Sequence, residues 1–185
     1  MTYSGTQKCL SAPPGISLIT FSQAAADRVK SRNTPVQSWF LDLSLLMAYW
    51  DGEGGGRTYH HTAPVNAMYG LHEALLMVKE QGLEASWAKH RTMHNALYEN
   101  LSGLGLEFVV DASYRLPQLN LVKVPEGVDE AAVRQQLLKE FNLEIGAGLG
   151  AFAGKVWRIG LMGYAARQEN VQLCTSALRA CLPGR

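Results

Sequence analysis

The chain has 185 residues, 47% of them apolar and 18% charged, which excludes a disordered or low-complexity polymer and is enough to bury a core. Its formal net charge is +1, without a basic or acidic block, so nothing in it asks for nucleic acid or an anionic membrane as partner. No apolar run reaches bilayer length, and three cysteines without metal spacing (Cys9, Cys174, Cys181) fit a reducing, intracellular compartment.

The first predicted feature is a turn. Residues 3–15 run through a small, hydroxyl-rich stretch (Ser4, Gly5, Thr6), then Lys8, then the rigid Pro13-Pro14-Gly15. Residues 16–21 are β-branched and partly alternating, which predicts a short strand. Ser22 is placed to cap a helix through Ala24, Val29 and Lys30, and Asn33-Thr34-Pro35 breaks it. Residues 41–50 predict an apolar helix. Residues 51–56, Asp-Gly-Glu-Gly-Gly-Gly, predict a flexible loop, and the absence of a following Gly-Lys-Ser/Thr argues against a P-loop. Residues 59–64 read as extended chain. A helix over 65–81 carries an apolar stripe of Leu71, Leu75 and Val78, and Gly82 ends it.

The second half reads as helices alternating with strands. A helix over 84–101 sets Trp87, His90, His94, Leu97 and Leu101 on one face. Strands are predicted at 106–111, 119–124, 143–145 and 156–161. A helix over 129–142 turns Val133, Leu137 and Phe141 inward behind an acidic N-terminus. A closing helix over 167–182 buries Val171, Cys174, Leu178 and Cys181. This order predicts an α/β chain, with a small sheet covered by helices and a domain boundary near Gly82, giving 1–82 and 83–185.

Several residues suit chemistry. Lys8, held in a turn of small residues, suits an amine that must attack a carbonyl, although a solvated turn lysine is the commoner case. Gln7 beside it could bond a phosphate or orient the lysine. The hydroxyls of Tyr59 and Thr62, three residues apart, could both donate to phosphate oxygens. Arg158 lies between Trp157 and Ile159 on a predicted strand, so it points away from both, and its guanidinium suits a carboxylate. The glycine-rich residues 146–150 do not open a helix after a strand, so they read as a mobile turn rather than a dinucleotide cradle. His60 and His61 should point to opposite sides of extended chain. His90 and His94 share a helix face, but Arg91 stands where a zinc protease has its glutamate, so both read as histidines at the rim of the core, with no metal.

The segment Gly-Thr-Gln-Lys-Cys-Leu-Ser-Ala-Pro-Pro-Gly (5–15) resembles the cofactor-lysine segment of the class V aminotransferases, and within them the alanine–glyoxylate and serine–pyruvate type. The resemblance continues through Tyr-His-His-Thr-Ala-Pro-Val (59–65), Glu-Gln-Gly-Leu-Glu (80–84) and Gly-Lys-Val-Trp-Arg-Ile-Gly (154–160). It implies the C-terminal part of a fold-type I enzyme, with 1–82 the end of the large domain and 83–185 the small one. It implies that Lys8 carries pyridoxal phosphate as an internal Schiff base and, once freed, moves the substrate proton. Gln7, Tyr59 and Thr62 would contact the phosphate. The last two would reach the neighbouring subunit's cofactor, which implies a homodimer with shared active sites. Arg158 would grip the α-carboxylate of small amino-acid and 2-oxo-acid substrates, alanine or serine and glyoxylate.

The chain departs from that pattern at its start, with only seven residues before Lys8. The family's glycine-rich phosphate loop, its ring-stacking aromatic residue and the aspartate that protonates the ring nitrogen have no counterpart here. Asp27 and Asp42 both follow Lys8, in predicted helices. A fragment inactive by itself is therefore expected. The alternative is a non-catalytic assembly module that keeps the dimerising surface.

Overall fold

A computed structural model describes residues 1–51, 58–182 and 184. The predicted glycine-rich loop at 52–56 lies outside the described residues. The chain forms two compact units. One comprises residues 1–6 and 13–71, the other residues 7–12 and 72–185.

In the first unit, β1 (Thr2–Gly5) pairs antiparallel with β2 (Ser17–Thr20), from Thr2 opposite Thr20 to Gly5 opposite Ser17. Thr6 closes the hairpin base, its buried hydroxyl donating to the Pro13 carbonyl at 2.6 Å. Ser22 caps α1 (Gln23–Lys30) as its position predicts, accepting from the Ala25 N–H. A single 3-10 turn at Trp39–Leu41 precedes α2 (Leu43–Asp51). Asp42 stands in front of that helix rather than inside it. Its carboxylate accepts from the Ser44 N–H at 2.9 Å, the hydrogen bond of an N-cap.

α3 (Val65–Gln81) begins in the first unit and continues in the second. Its bounds match the prediction. Along its apolar stripe Leu71 and Val78 are half-buried beside buried Ala74, while Leu75 is 44% exposed.

The second unit is built on a three-stranded antiparallel sheet in the order β3–β5–β4. The strands are β3 (Leu119–Lys123), β4 (Gly146–Ala147) and β5 (Val156–Gly160). Leu121 and Gly146 both lie opposite Arg158. α4 (Leu83–Gly103), α5 (Glu130–Phe141) and α6 (Gln168–Cys181) supply the helical layer, with α6 packed on both of the others. Leu97, Leu101, Val122, Leu137, Trp157, Val171 and Leu178 are fully buried among them. Asp129 starts α5 by accepting from the N–H groups of Ala131 and Ala132 at 3.0 Å. Asn142, in left-handed conformation, ends it.

Three expectations need correction here. Residues 106–111 form no strand. Phe108 makes a single bridge to Val122, because the Leu106 N–H folds back to the Leu101 carbonyl and Asp111 turns away to cap the next turn. Residues 143–145 form none either. The Leu143 N–H returns to the Leu137 carbonyl as part of the end of α5, so pairing begins only at Gly146. Trp87 is 56% exposed and leaves the buried face of α4 to His90, His94, Leu97 and Leu101.

Candidate active site

Lys8 lies in the 7–12 segment, within the same compact unit as Arg158. The segment is a tight turn. The Ser11 N–H donates to the Lys8 carbonyl at 3.0 Å, and Ser11 itself has φ +56°. Gln7 and Lys8 are exposed, as an amine that must meet a ligand requires. A distant residue also holds the turn. Ser11 Oγ accepts from the Tyr164 N–H at 2.8 Å, and this tie between distant residues had no signal in the sequence.

Arg158 sits in the middle of β5. Trp157 and Ile159 are buried and Arg158 is half-buried, so the expected alternation holds. Its Nε–H donates to the Ala147 carbonyl at 2.6 Å. That bond leaves both Nη nitrogens for a carboxylate. The residues read as a mobile turn therefore include a strand, since Gly146 and Ala147 pair with β5.

Tyr59 and Thr62 belong to the first unit. Their hydroxyls are hydrogen-bonded to each other, so the chain brings the two predicted phosphate donors to one point. His60 anchors that stretch. It is buried and stacks on Trp39 with ring centroids 4.0 Å apart, and its Nε2–H donates to the Trp39 carbonyl at 3.1 Å. His60 and His61 do not point apart as extended chain would require. Their Nδ1 atoms are 2.8 Å apart and share a hydrogen bond. The backbone bends at His61 and turns the rings together.

His90 and His94 lie deeper than the rim of the core. His90 Nε2 accepts from the Gly163 N–H at 2.9 Å, which places its proton on Nδ1, donating to the Ser86 carbonyl at 2.6 Å. His94 Nδ1 donates to Asn120 Oδ1 at 2.6 Å. Both rings are consumed by structure. Among the described residues, no group of three or more His, Cys, Asp or Glu side chains is arranged to hold a metal ion.

The Lys8 turn and the Tyr59–Thr62 pair each suit a part of pyridoxal phosphate. An exposed amine on a fixed turn suits its aldehyde, and a convergent pair of hydroxyls suits its phosphate. Asp27 and Asp42 are engaged locally. Asp27 accepts from Gln23 Nε2 at 2.8 Å. Asp42 is held below its ordinary pKa chiefly by the Ser44 hydroxyl. The residues present thus fit the aldehyde and phosphate ends of the cofactor.

A model of the family described as aminotransferase class-V matches residues 1–173. The chain belongs to the class V aminotransferase family. Alanine–glyoxylate aminotransferase of Callithrix jacchus is 48% identical over 97% of this chain. The (S)-ureidoglycine–glyoxylate transaminase of Bacillus subtilis is 37% identical over 96% of it. The crystal structure of alanine–glyoxylate aminotransferase from Nostoc sp. superposes with a TM-score of 0.92 at 45% identity, covering 97% of this chain and 47% of that one. The chain spans 44% and 46% of the lengths of the two curated relatives. Its fold is that of roughly the C-terminal half of a fold-type I, class V aminotransferase, and the family implies pyridoxal phosphate as cofactor.

Proposed function

We propose that the chain is the C-terminal part of an aminotransferase that moves an amino group from alanine or serine to glyoxylate. The observation that carries this reading is that Lys8, on a fixed turn, and Arg158, on a paired strand, are built into one compact unit. The similarity to transaminases that use glyoxylate by name supports the acceptor. Residues 1–82 correspond in this reading to the end of the large domain and 83–185 to the small one.

Each residue then has a task. Lys8 Nζ would hold the cofactor covalently and, when released, would carry the proton from the substrate α-carbon to the cofactor carbon it had held. Arg158 binds the α-carboxylate through its two Nη nitrogens, which orients the bond to be broken. Tyr59 and Thr62 donate to the phosphate of a neighbouring subunit's cofactor, so the assembly is a homodimer, and Gln7 contributes from beside the lysine. When bound, pyridoxal phosphate supplies an electron-poor ring that accepts the electron pair left on the α-carbon. Exposed Trp39, Phe40 and Leu41 give the chain apolar surface that a second copy or a longer enzyme would cover.

The chain alone is expected not to transaminate, because it spans under half the length of its relatives, and Asp27 and Asp42 are engaged locally. The test has two arms. Pyridoxal phosphate followed by borohydride should label Lys8 above all other lysines. Alanine and glyoxylate with excess cofactor should yield pyruvate no faster than the free cofactor allows. Even labelling over Lys8, Lys30, Lys79 and Lys89 would refute the assignment of Lys8. Rapid turnover would refute the fragment reading and point back to Asp27 or Asp42. Selective labelling without turnover keeps the catalytic reading. The alternative, a non-catalytic assembly module that keeps the dimerising surface, expects no turnover and no preference for Lys8.

A further inference from the structure

The 3-10 turn at Gly163–Ala165 lies just beyond β5 and is built against the Lys8 turn. Gly163 has φ +56°, and a Cβ there would lie 2.2 Å from Ser11 Oγ and 2.3 Å from the Cys9 carbonyl oxygen. No side chain fits in that space, and an L-residue would also be strained at that φ. The position therefore admits glycine only, and the reason is the segment that carries Lys8. Three hydrogen bonds fasten the same place. The Tyr164 N–H donates to Ser11 Oγ at 2.8 Å. The Ser11 N–H donates to the Lys8 carbonyl at 3.0 Å. The Gly163 N–H donates to Nε2 of the buried His90 at 2.9 Å. Ser11 holds φ +56°, a conformation that serine adopts only when its surroundings impose it.

We propose that Ser11, Gly163 and His90 form a clamp that positions Lys8, making all three positioning residues for the cofactor amine. His90, on α4, fixes the Gly163 turn from below. The bare Gly163 admits the Cys9 carbonyl and Ser11 hydroxyl above it. Ser11 then locks the backbone three residues after Lys8. Arg158 lies on the strand that runs into this turn, so one short path through Ser11 and Tyr164 joins the amine to the carboxylate-binding residue. The positioning role rests on the reading of Lys8 as the cofactor lysine, while the clamp itself rests on geometry alone.

The experiment uses the whole 185-residue chain and its Ser11→Ala and Gly163→Ala variants, each first shown to keep wild-type helix content. Two quantities are read. One is the share of borohydride-fixed pyridoxal phosphate label on Lys8 relative to the other lysines. The other is amide hydrogen exchange in peptides covering 5–15 and 160–166, with α4 and α6 peptides as internal controls. Exchange at 5–15 is expected to rise at least about tenfold in both variants while the controls stay unchanged. The Lys8 share should fall about fivefold or more, Gly163→Ala being the more severe. Adding Ser11→Gly to Gly163→Ala should not restore it, because the Cys9 carbonyl still occupies the space.

Variants whose exchange and Lys8 share both stay within about twofold of wild type would overturn the proposal. So would faster exchange with the Lys8 share unchanged, since the clamp would then not govern the amine. If Gly163→Ala does not fold, Ser11→Ala decides by the same criteria. A wild-type chain labelled evenly over its lysines counts against the proposed function instead, and the clamp is then judged on exchange at 5–15 alone.

Discussion

The Arg158 guanidinium lies across Gly146 and gives its Nε–H to the Ala147 carbonyl at 2.6 Å. Lysine cannot reproduce both that anchor and a two-pronged grip on a carboxylate. In an enzyme reassembled from this chain and the N-terminal half of a class V relative, Arg158→Ala should raise the KM for amino acid and keto acid at least about tenfold. Each lost charge-assisted bond is worth about 1.5–3 kcal/mol. Arg158→Lys should recover only part of the loss. Cofactor retention, followed by absorbance after gel filtration, should not change. An unaltered KM in Arg158→Ala would remove Arg158 from the site.

The buried pair His94–Asn120 is a stability element. Asn120 also donates to the Ile159 carbonyl at 3.3 Å, so it ties α4 to β5. His94→Leu leaves Asn120 Oδ1 without its donor and should cost about 1–3 kcal/mol in urea unfolding. His94→Leu with Asn120→Leu should cost less than the two single changes added together, because no polar group is then left stranded by the other. Strict additivity would show that the hydrogen bond contributes nothing.

Two glycines should respond to alanine in opposite ways. A Cβ on Gly148 would lie 2.0 Å from the Phe152 carbonyl oxygen, a backbone atom that cannot rotate away. Gly148→Ala should destabilise by about 2 kcal/mol or more. Gly103, the last residue of α4, has open space around its Cβ position. Gly103→Ala should be neutral or stabilise by up to about 1 kcal/mol. Thermal unfolding of the two variants gives the comparison, and equal effects would refute it.

Burial pushes the Cys174 thiol up to about 12 from its ordinary 9.0. The folded chain thus keeps this proton over a range where the unfolded chain loses it. Its contribution to stability is intact below about pH 9 and is lost as pH rises towards 12, with a slope of order 1 kcal/mol per pH unit. Urea midpoints of the wild type and Cys174→Ala at pH 8 and pH 10.5 isolate this term from other alkaline titrations. The wild type should lose more stability between the two. At neutral pH, an alkylating reagent should modify exposed Cys9 and spare Cys174.

The fold was legible wherever the signal is local. Ser22 announced its helix because a capping side chain acts within three residues, and Asp129, read as part of an acidic first turn, is the cap of its own. Trp157, Arg158 and Ile159 announced a one-sided strand because alternation is a property of the strand itself. β1 escaped notice because Thr-Tyr-Ser-Gly has no apolar alternation and is a strand only through its pairing with β2. The apolar stripe of α3 was legible from its period, but how far it is covered depends on what else the chain supplies, so Leu75 stays exposed beside half-buried Leu71 and Val78. For the site, residue identities came from the resemblance to a family. The hold on Lys8 was invisible, because Ser11 and Tyr164 are 153 positions apart and nothing near either foretells the other.

That separation has a consequence for synthesis. The turn bearing Lys8 leaves the ribosome long before the groups it closes on, Gly163 and Tyr164. The clamp is therefore of high contact order, and its loop-closure entropy must be met before the Tyr164–Ser11 hydrogen bond forms. Helices α4 and α5 can assemble while translation continues. If Lys8 is the cofactor lysine, its amine cannot take its final seat until Gly163 and Tyr164 have been made, and covalent capture of the cofactor would follow the assembly of this unit rather than lead it.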